Sequence, residues 1–133
     1  MSKLDTVRVR DYMSTTLITF HPDMEVMTAV NALVKNHITA APVVDDAGKL
    51  VGVLSERDCL AIVFVAAHDD SSAGPVRQFM NPKVVTVTPE TSLMHLLSLF
   101  ESQTCRRYPV MENGNLVGLI SRSDVLRAIN DLY

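Results

Sequence analysis

The chain repeats itself, and the repeat governs what it can fold into. Val9-Arg10-Asp11-Tyr12-Met13 returns as Val76-Arg77-Gln78-Phe79-Met80, Thr19 and Pro22 return as Thr86 and Pro89, and Pro42-Val43 returns as Pro109-Val110, each sixty-seven residues later. From Gly48 onward the spacing is sixty-six: Gly48, Leu50-Val51-Gly52, Ser55, Asp58 and Leu60 match Gly114, Leu116-Val117-Gly118, Ser121, Asp124 and Leu126. One residue is lost where Asp45-Asp46-Ala47-Gly48 becomes Glu112-Asn113-Gly114, a turn that shortens without disturbing its flanks. In 133 residues there is room for one compact domain or for two half-domains that share a core, and neither half is expected to stand alone. Two copies of one supersecondary unit imply a pseudo-twofold module with a cleft, and paired sites, between the halves.

Each copy carries the same order of elements. Leu17-Ile18-Thr19-Phe20, stopped by His21-Pro22-Asp23, and Val84-Val85-Thr86-Val87, stopped by Thr88-Pro89-Glu90, read as opening strands. Val26, Ala29, Val30 and Leu33, and again Leu93, Leu96, Leu97 and Phe100, follow the i, i+3, i+4, i+7 spacing of one helical face. Ala41-Pro42-Val43-Val44 with Leu50-Val51-Gly52-Val53-Leu54, and Tyr108-Pro109-Val110-Met111 with Leu116-Val117-Gly118-Leu119-Ile120, read as hairpins closed by Gly-containing turns. A second helix follows, from about Glu56 to Ala67 and from about Arg122 to Leu132. The expected fold is α/β, of α+β character: two tandem β-α-β-β-α repeats at 9–67 and 76–133, an N-terminal segment at 1–8, and a small polar linker at 68–75.

The second helices differ between the copies. Cys59 to Ala67 is apolar on every side, whereas its twin carries Arg127, Asn130 and Asp131. A helix apolar all round must be covered all round, either by its twin or by a second copy of the chain, so residues 59–67 are expected to form a self-association surface. At nine residues this run is far short of the roughly 20 that cross a bilayer as a helix. No signal-peptide order is visible at the N-terminus, so the expected location is cytoplasmic, with no membrane partner. A net charge of −3 argues against nonspecific nucleic-acid coating, which depends on excess Lys and Arg.

The chemistry-bearing motif is Gly-x-x-Ser-x-x-Asp, present at Gly52, Ser55 and Asp58 and again at Gly118, Ser121 and Asp124. Taken alone, either copy reads first as a helix cap, a capping box with Asp in place of Glu or Gln. A capped helix start still offers free amide donors to an anion, so cap and ligand site are compatible readings. With Met13 and Met80, Thr19-x-x-Pro22 and Thr86-x-x-Pro89, Ala41-Pro42-Val43-Val44-Asp45 and Tyr108-Pro109-Val110-Met111-Glu112, the motif makes the chain resemble tandem cystathionine-β-synthase (CBS) domains, the stand-alone pair called a Bateman module. The resemblance covers about residues 9–132.

That resemblance implies a regulatory module without catalysis of its own, which binds adenosine-type ligands in the two clefts between repeats. AMP, ADP or ATP is the expected ligand, ahead of NAD and S-adenosylmethionine. A homodimer is expected, and a regulated partner protein is unidentified. Carried over, the first site would comprise Ser55 and Asp58 with Met80, Val85, Cys105, Arg106 and Arg107. The second would comprise Ser121, Arg122 and Asp124 with Met13, Ile18, Ile38, Thr39 and Ala40. A carboxylate accepts from both hydroxyls of a ribose, while the serine and the helix start face phosphate. Arg106-Arg107 stands where the first copy has Thr39-Ala40, and only arginines bind phosphate in bidentate fashion. The sites are therefore expected to be unequal, with the Asp58 site taking the phosphorylated nucleotide and the Asp124 site binding more weakly or preferring a less charged ligand, with Arg122 as a partial compensation.

Competing readings are a purely structural or dimerisation module with empty clefts, an enzyme, and a nucleic-acid binder resting on Arg106, Arg107 and Arg122. His21, His37, His68 and His95 form no metal-binding pair, and no GxSxG, P-loop or GxGxxG is present. Cys59 and Cys105 lie far apart and are expected to act as small core hydrophobes, and Met24, Met27, Met94 and Met111 to serve packing.

Overall fold

Glycine and proline punctuate the chain at matching places, and the elements between them form as paired sets. The computed structural model describes residues 2–66, 73–103 and 105–133. The first set is α1 (Val26–Lys35), β1 (Ala40–Val44), β2 (Leu50–Ser55), α2 (Glu56–Cys59) and α3 (Ile62–Ala66). The second is α4 (Leu93–Ser102), β3 (Arg107–Glu112), β4 (Asn115–Ser121) and α5 (Arg122–Leu132). Short 3-10 turns at Val9–Asp11 and Val76–Gln78 open the two copies. The fold is mixed helix and strand, with two separate two-stranded antiparallel sheets, β1-β2 and β3-β4.

The chain divides into two compact units that cut across the sequence repeats. One is Ile18–Val84, and the other joins Met1–Leu17 to Val85–Tyr133. Each unit thus contains one hairpin, its helices, and the segment that opens the other copy. In the Ile18–Val84 unit, Val76 N–H donates to the Met24 carbonyl at 2.9 Å and Arg77 N–H to that of Pro22 at 2.9 Å. Asn81 and Val53 exchange two backbone hydrogen bonds of 2.9 and 3.0 Å. In the other unit Val9 donates to Thr91 at 2.8 Å and Arg10 to Pro89 at 3.0 Å, while Ser14 and Leu119 exchange bonds of 2.8 and 3.0 Å.

Each unit has its own core. Phe20, Val26, Ala29, Leu33, Val43, Leu54 and Val76 are buried in one. Leu4, Val9, Val87, Leu93, Leu96, Phe100, Tyr108, Val110, Ile120 and Val125 are buried in the other. Of the eight positions on the helical faces, Val26, Ala29, Leu33, Leu93, Leu96 and Phe100 are buried, while Val30 and Leu97 are only partly buried against the cores. Tyr108 is wholly buried, yet its hydroxyl donates to the Leu99 carbonyl at 3.0 Å, so no polar group is stranded there.

Four expectations need correction. The opening strands are each reduced to a single parallel bridge, Phe20 to Val43 and Val87 to Val110, because only one residue per copy reaches the sheet before Pro22 or Pro89 turns the chain away. The helix expected from Glu56 is broken at Leu60-Ala61 into α2 and α3. Cys105 is exposed rather than a core hydrophobe. Met27 is half exposed on α1 rather than packed. Of the expected linker, residues 68–72 lie outside the described residues, as does Ala67. Ala73 is buried and the Gly74 carbonyl accepts from Val26 N–H at 2.9 Å.

Candidate functional site

The Gly-x-x-Ser-x-x-Asp motif folds the same way twice because its three fixed residues solve three local problems. Gly52 and Gly118 sit where another segment passes too close for a side chain. A Cβ on Gly52 would lie 2.7 Å from Met80 Sδ and 3.0 Å from the Asn81 carbonyl oxygen. On Gly118 it would lie 2.9 Å from both Met13 Sδ and the Ser14 carbonyl oxygen. The methionine ahead of each copy is thereby seated on the hairpin of its own compact unit.

Ser55 and Ser121 end a strand in extended backbone and cap the helix that follows. Ser55 Oγ accepts from Asp58 N–H at 3.1 Å, while Asp58 Oδ2 accepts from Ser55 N–H at 2.9 Å and from Ser55 Oγ–H at 2.8 Å. In the second copy Asp124 Oδ2 takes Ser121 N–H at 2.8 Å and Ser121 Oγ–H at 3.0 Å, and Asp124 N–H donates to Ser121 Oγ at 3.3 Å. The cap reading is therefore correct in both copies. It consumes only one carboxylate oxygen of each aspartate.

The other oxygen separates the copies. Among the described residues, nothing donates to Asp58 Oδ1. Asp124 Oδ1, in contrast, accepts from Arg127 Nη1 at 3.2 Å. Ser121 Oγ also meets Ser123 Oγ at 2.8 Å, whereas Arg57 occupies the matching place after Ser55. Arg127, Ser123 and Tyr12, which orients Arg127, are not among the site residues expected from the sequence, where Arg127 figures only as a polar residue of the second helix. The Asp-x-x-Arg spacing of 124 and 127 is a legible signal for the first of them.

Around Ser55 the Ile18–Val84 unit gathers Ala40, its ladder partner, and Thr39, whose carbonyl accepts Glu56 N–H at 2.8 Å. Ile18, Ile38 and Met80 are partly buried against the same core. Around Ser121 the other unit gathers Arg107, its ladder partner, and Arg106, whose carbonyl accepts Arg122 N–H at 3.2 Å. Met13 is partly buried there. Val85, Cys105, Arg106 and Arg122 are exposed, and Cys105 Sγ donates to the Arg107 carbonyl at 2.6 Å. Arg107 Nε is buried and has no hydrogen-bond partner, so a cationic donor stands unused in this neighbourhood.

Burial, reinforced by the Asp58 carboxylate, pushes the Cys59 thiol above its ordinary pKa, so it stays neutral at physiological pH. Among the described residues no cluster of His, Cys, Asp and Glu forms a metal site, and no helix is long and apolar enough to cross a membrane.

Comparison with known proteins bears on the family and the fold. The family model described as CBS domain matches residues 9–64 and 76–131. The CBS domain-containing protein YhcV of Bacillus subtilis is 31% identical over 93% of this chain and 85% of its own length. The chain also matches A-adding tRNA nucleotidyltransferase of Aquifex aeolicus at 28% identity, but spans only 15% of that protein. Among solved structures, CBSX2 in complex with AMP superposes with a TM-score of 0.84 at 31% identity, covering 94% of this chain and 97% of that one. The CBS domain pair of MJ0100, in complex with 5-methylthioadenosine and S-adenosyl-L-methionine, gives 0.77 at 25% identity, covering 92% of this chain and 99% of that one.

Proposed function

We infer, since this chain belongs to the CBS domain family, that it is a regulatory module whose ligand is an adenosine-type nucleotide, with AMP, ADP or ATP ahead of NAD and S-adenosylmethionine. The observation that carries this reading is the Asp58 carboxylate. One oxygen is spent on capping α2 and the other accepts nothing from the described residues, which suits it to accept from a ribose. The similarity to a CBS pair solved with AMP supports the same ligand class. Ser55 and Asp58 with Met80, Val85, Cys105, Arg106 and Arg107 form the proposed first ligand set. Ser121, Arg122 and Asp124 with Met13, Ile18, Ile38, Thr39 and Ala40 form the second. Phosphate is assigned to Arg106 and Arg107, whose unused donors include Arg107 Nε.

Binding becomes regulation only when ligand prefers one arrangement of the module over another, and a partner protein reads that preference. The module acts as a homodimer through the start of the apolar run: Leu60, Val63 and Phe64 are 68%, 67% and 73% exposed, an unusual apolar surface for a chain that works alone.

Isothermal titration of the purified chain with AMP, ATP, NAD and S-adenosylmethionine tests the reading. Heat is expected with at least one adenine nucleotide, and Asp58→Ala should weaken it roughly ten- to a hundred-fold, the worth of hydrogen bonds to a charged acceptor. No heat with any of the four would leave a purely structural or dimerisation module.

A further inference from the structure

The two copies of the motif differ by a set of side chains that changes together. In the second copy, Arg127 is held at three points. Its Nη1 donates to Asp124 Oδ1 at 3.2 Å, its Nη2 donates to the Tyr12 carbonyl at 2.9 Å, and its guanidinium lies 5.5 Å from the centre of the Tyr12 ring. Tyr12 is positioned in turn by its hydroxyl, which donates to Asp131 Oδ2 at 2.9 Å. The hydrogen bond to Asp131 also raises the phenol's pKa, so the hydroxyl remains a donor at neutral pH. At the matching positions of the Ile18–Val84 unit stand Ala61 for Arg127, Phe79 for Tyr12 and Val65 for Asp131. Asp131, Tyr12 and Arg127 are each replaced by an apolar residue, and none of the replacements carries a side-chain donor for the Asp58 carboxylate.

We propose that Arg127 is an internal occupant of the second ligand site: it holds Asp124 in an ion pair and so keeps that carboxylate from accepting a ribose, leaving the chain with one competent nucleotide site, at Asp58. This rests on the nucleotide reading above and specifies it.

An exposed ion pair is by itself worth little, and Arg127 is 55% exposed. The effect here comes from the arrangement around it. Asp124 is only 14% exposed, both its oxygens are engaged within the chain, and the guanidinium that engages Oδ1 is fixed from two further sides by Tyr12. A ribose reaching Asp124 must break a charge-assisted hydrogen bond and release a guanidinium that packing and a carbonyl both retain. At Asp58 it breaks nothing. Ser123 adds to the difference, because it meets the Ser121 hydroxyl at 2.8 Å.

The test is titration of the 133-residue chain with AMP, in the wild type and in Arg127→Ala, Arg127→Gln, Asp58→Ala and the double variant Arg127→Ala/Asp124→Ala. The wild type should bind one AMP per chain, and Asp58→Ala should abolish that event. Both Arg127 variants should gain a second event at least about tenfold tighter than any second event of the wild type, given the strength of a charge-assisted hydrogen bond. The double variant should lose it again, which a merely structural role for Arg127 would not produce. Two equal events in the wild type, one event in both Arg127 variants, or weaker binding on removal of Arg127 would each overturn the proposal while keeping the nucleotide reading. An Asp124-dependent event in the Arg127 variants without any event in the wild type would remove the Asp58 site and leave the clamp standing. Silence in every variant would end both.

Discussion

Gly52 and Gly118 show most directly how single residues decide the site. Neither is there for an unusual backbone angle; each is there because the Met80 or Met13 sulfur and the carbonyl of the next residue come to 2.7–3.0 Å from where a Cβ would stand. Gly118→Ala must push Met13 and Ser14 away from β4, and should cost about 1–3 kcal/mol, as overpacking does, read as a lower denaturant midpoint at an unchanged slope. The cysteines make a second residue-scale case. Cys105 is exposed and Cys59 is half-buried with a raised pKa, so a thiol reagent at neutral pH should label Cys105 first, and AMP should slow that labelling if Cys105 lines the ligand site. Because folding raises the Cys59 pKa, its contribution to stability is complete at neutral pH and is lost as pH rises through the folded-state value. Denaturant midpoints measured up the alkaline range should therefore fall less steeply in Cys59→Ser.

At the scale of elements, the informative contrast is between α2 with α3 and their unbroken counterpart α5. Both begin at a Ser–Asp cap, and both caps are complete, so the N-terminus does not explain the difference. The break falls at Leu60-Ala61, where the first copy has an apolar run and the second continues with Arg127, Ala128 and Ile129. The spacing of apolar residues located the start of each second helix but not the break, since a run apolar on every side has no periodicity to lose. The exposed face of Leu60, Val63 and Phe64 should bury itself in a homodimer. Phe64→Glu should then shift the light-scattering mass toward a monomer while leaving the far-ultraviolet circular dichroism unchanged, and an unaltered mass would assign the dimer contact elsewhere.

At the scale of the whole molecule, each compact unit is completed by the opening segment of the other sequence repeat. Val76 is wholly buried in the Ile18–Val84 core, and Leu4 and Val9 are buried in the core built on Val85–Tyr133. A fragment of residues 9–67 therefore lacks Val76 and Met80, and should show no cooperative thermal transition by circular dichroism, whereas residues 18–84 should show one. The sequence by itself determined the duplication, the hairpins, the amphipathic faces of α1 and α4, and the Ser–Asp caps. The hairpins, helical faces and caps are local or periodic, and the duplication is read by setting one copy beside the other. Only tertiary structure decided which segment each hairpin receives, that the opening strands shrink to single bridges, and that Arg127 reaches both Asp124 and the Tyr12 carbonyl. Those depend on contacts across as many as 115 residues of chain, which no local pattern encodes. Asp58 and Asp124 share the Gly-x-x-Ser-x-x-Asp frame, and Ala61 in place of Arg127 already separates them in the sequence; the fold adds Tyr12, which holds Arg127 against the second oxygen of Asp124.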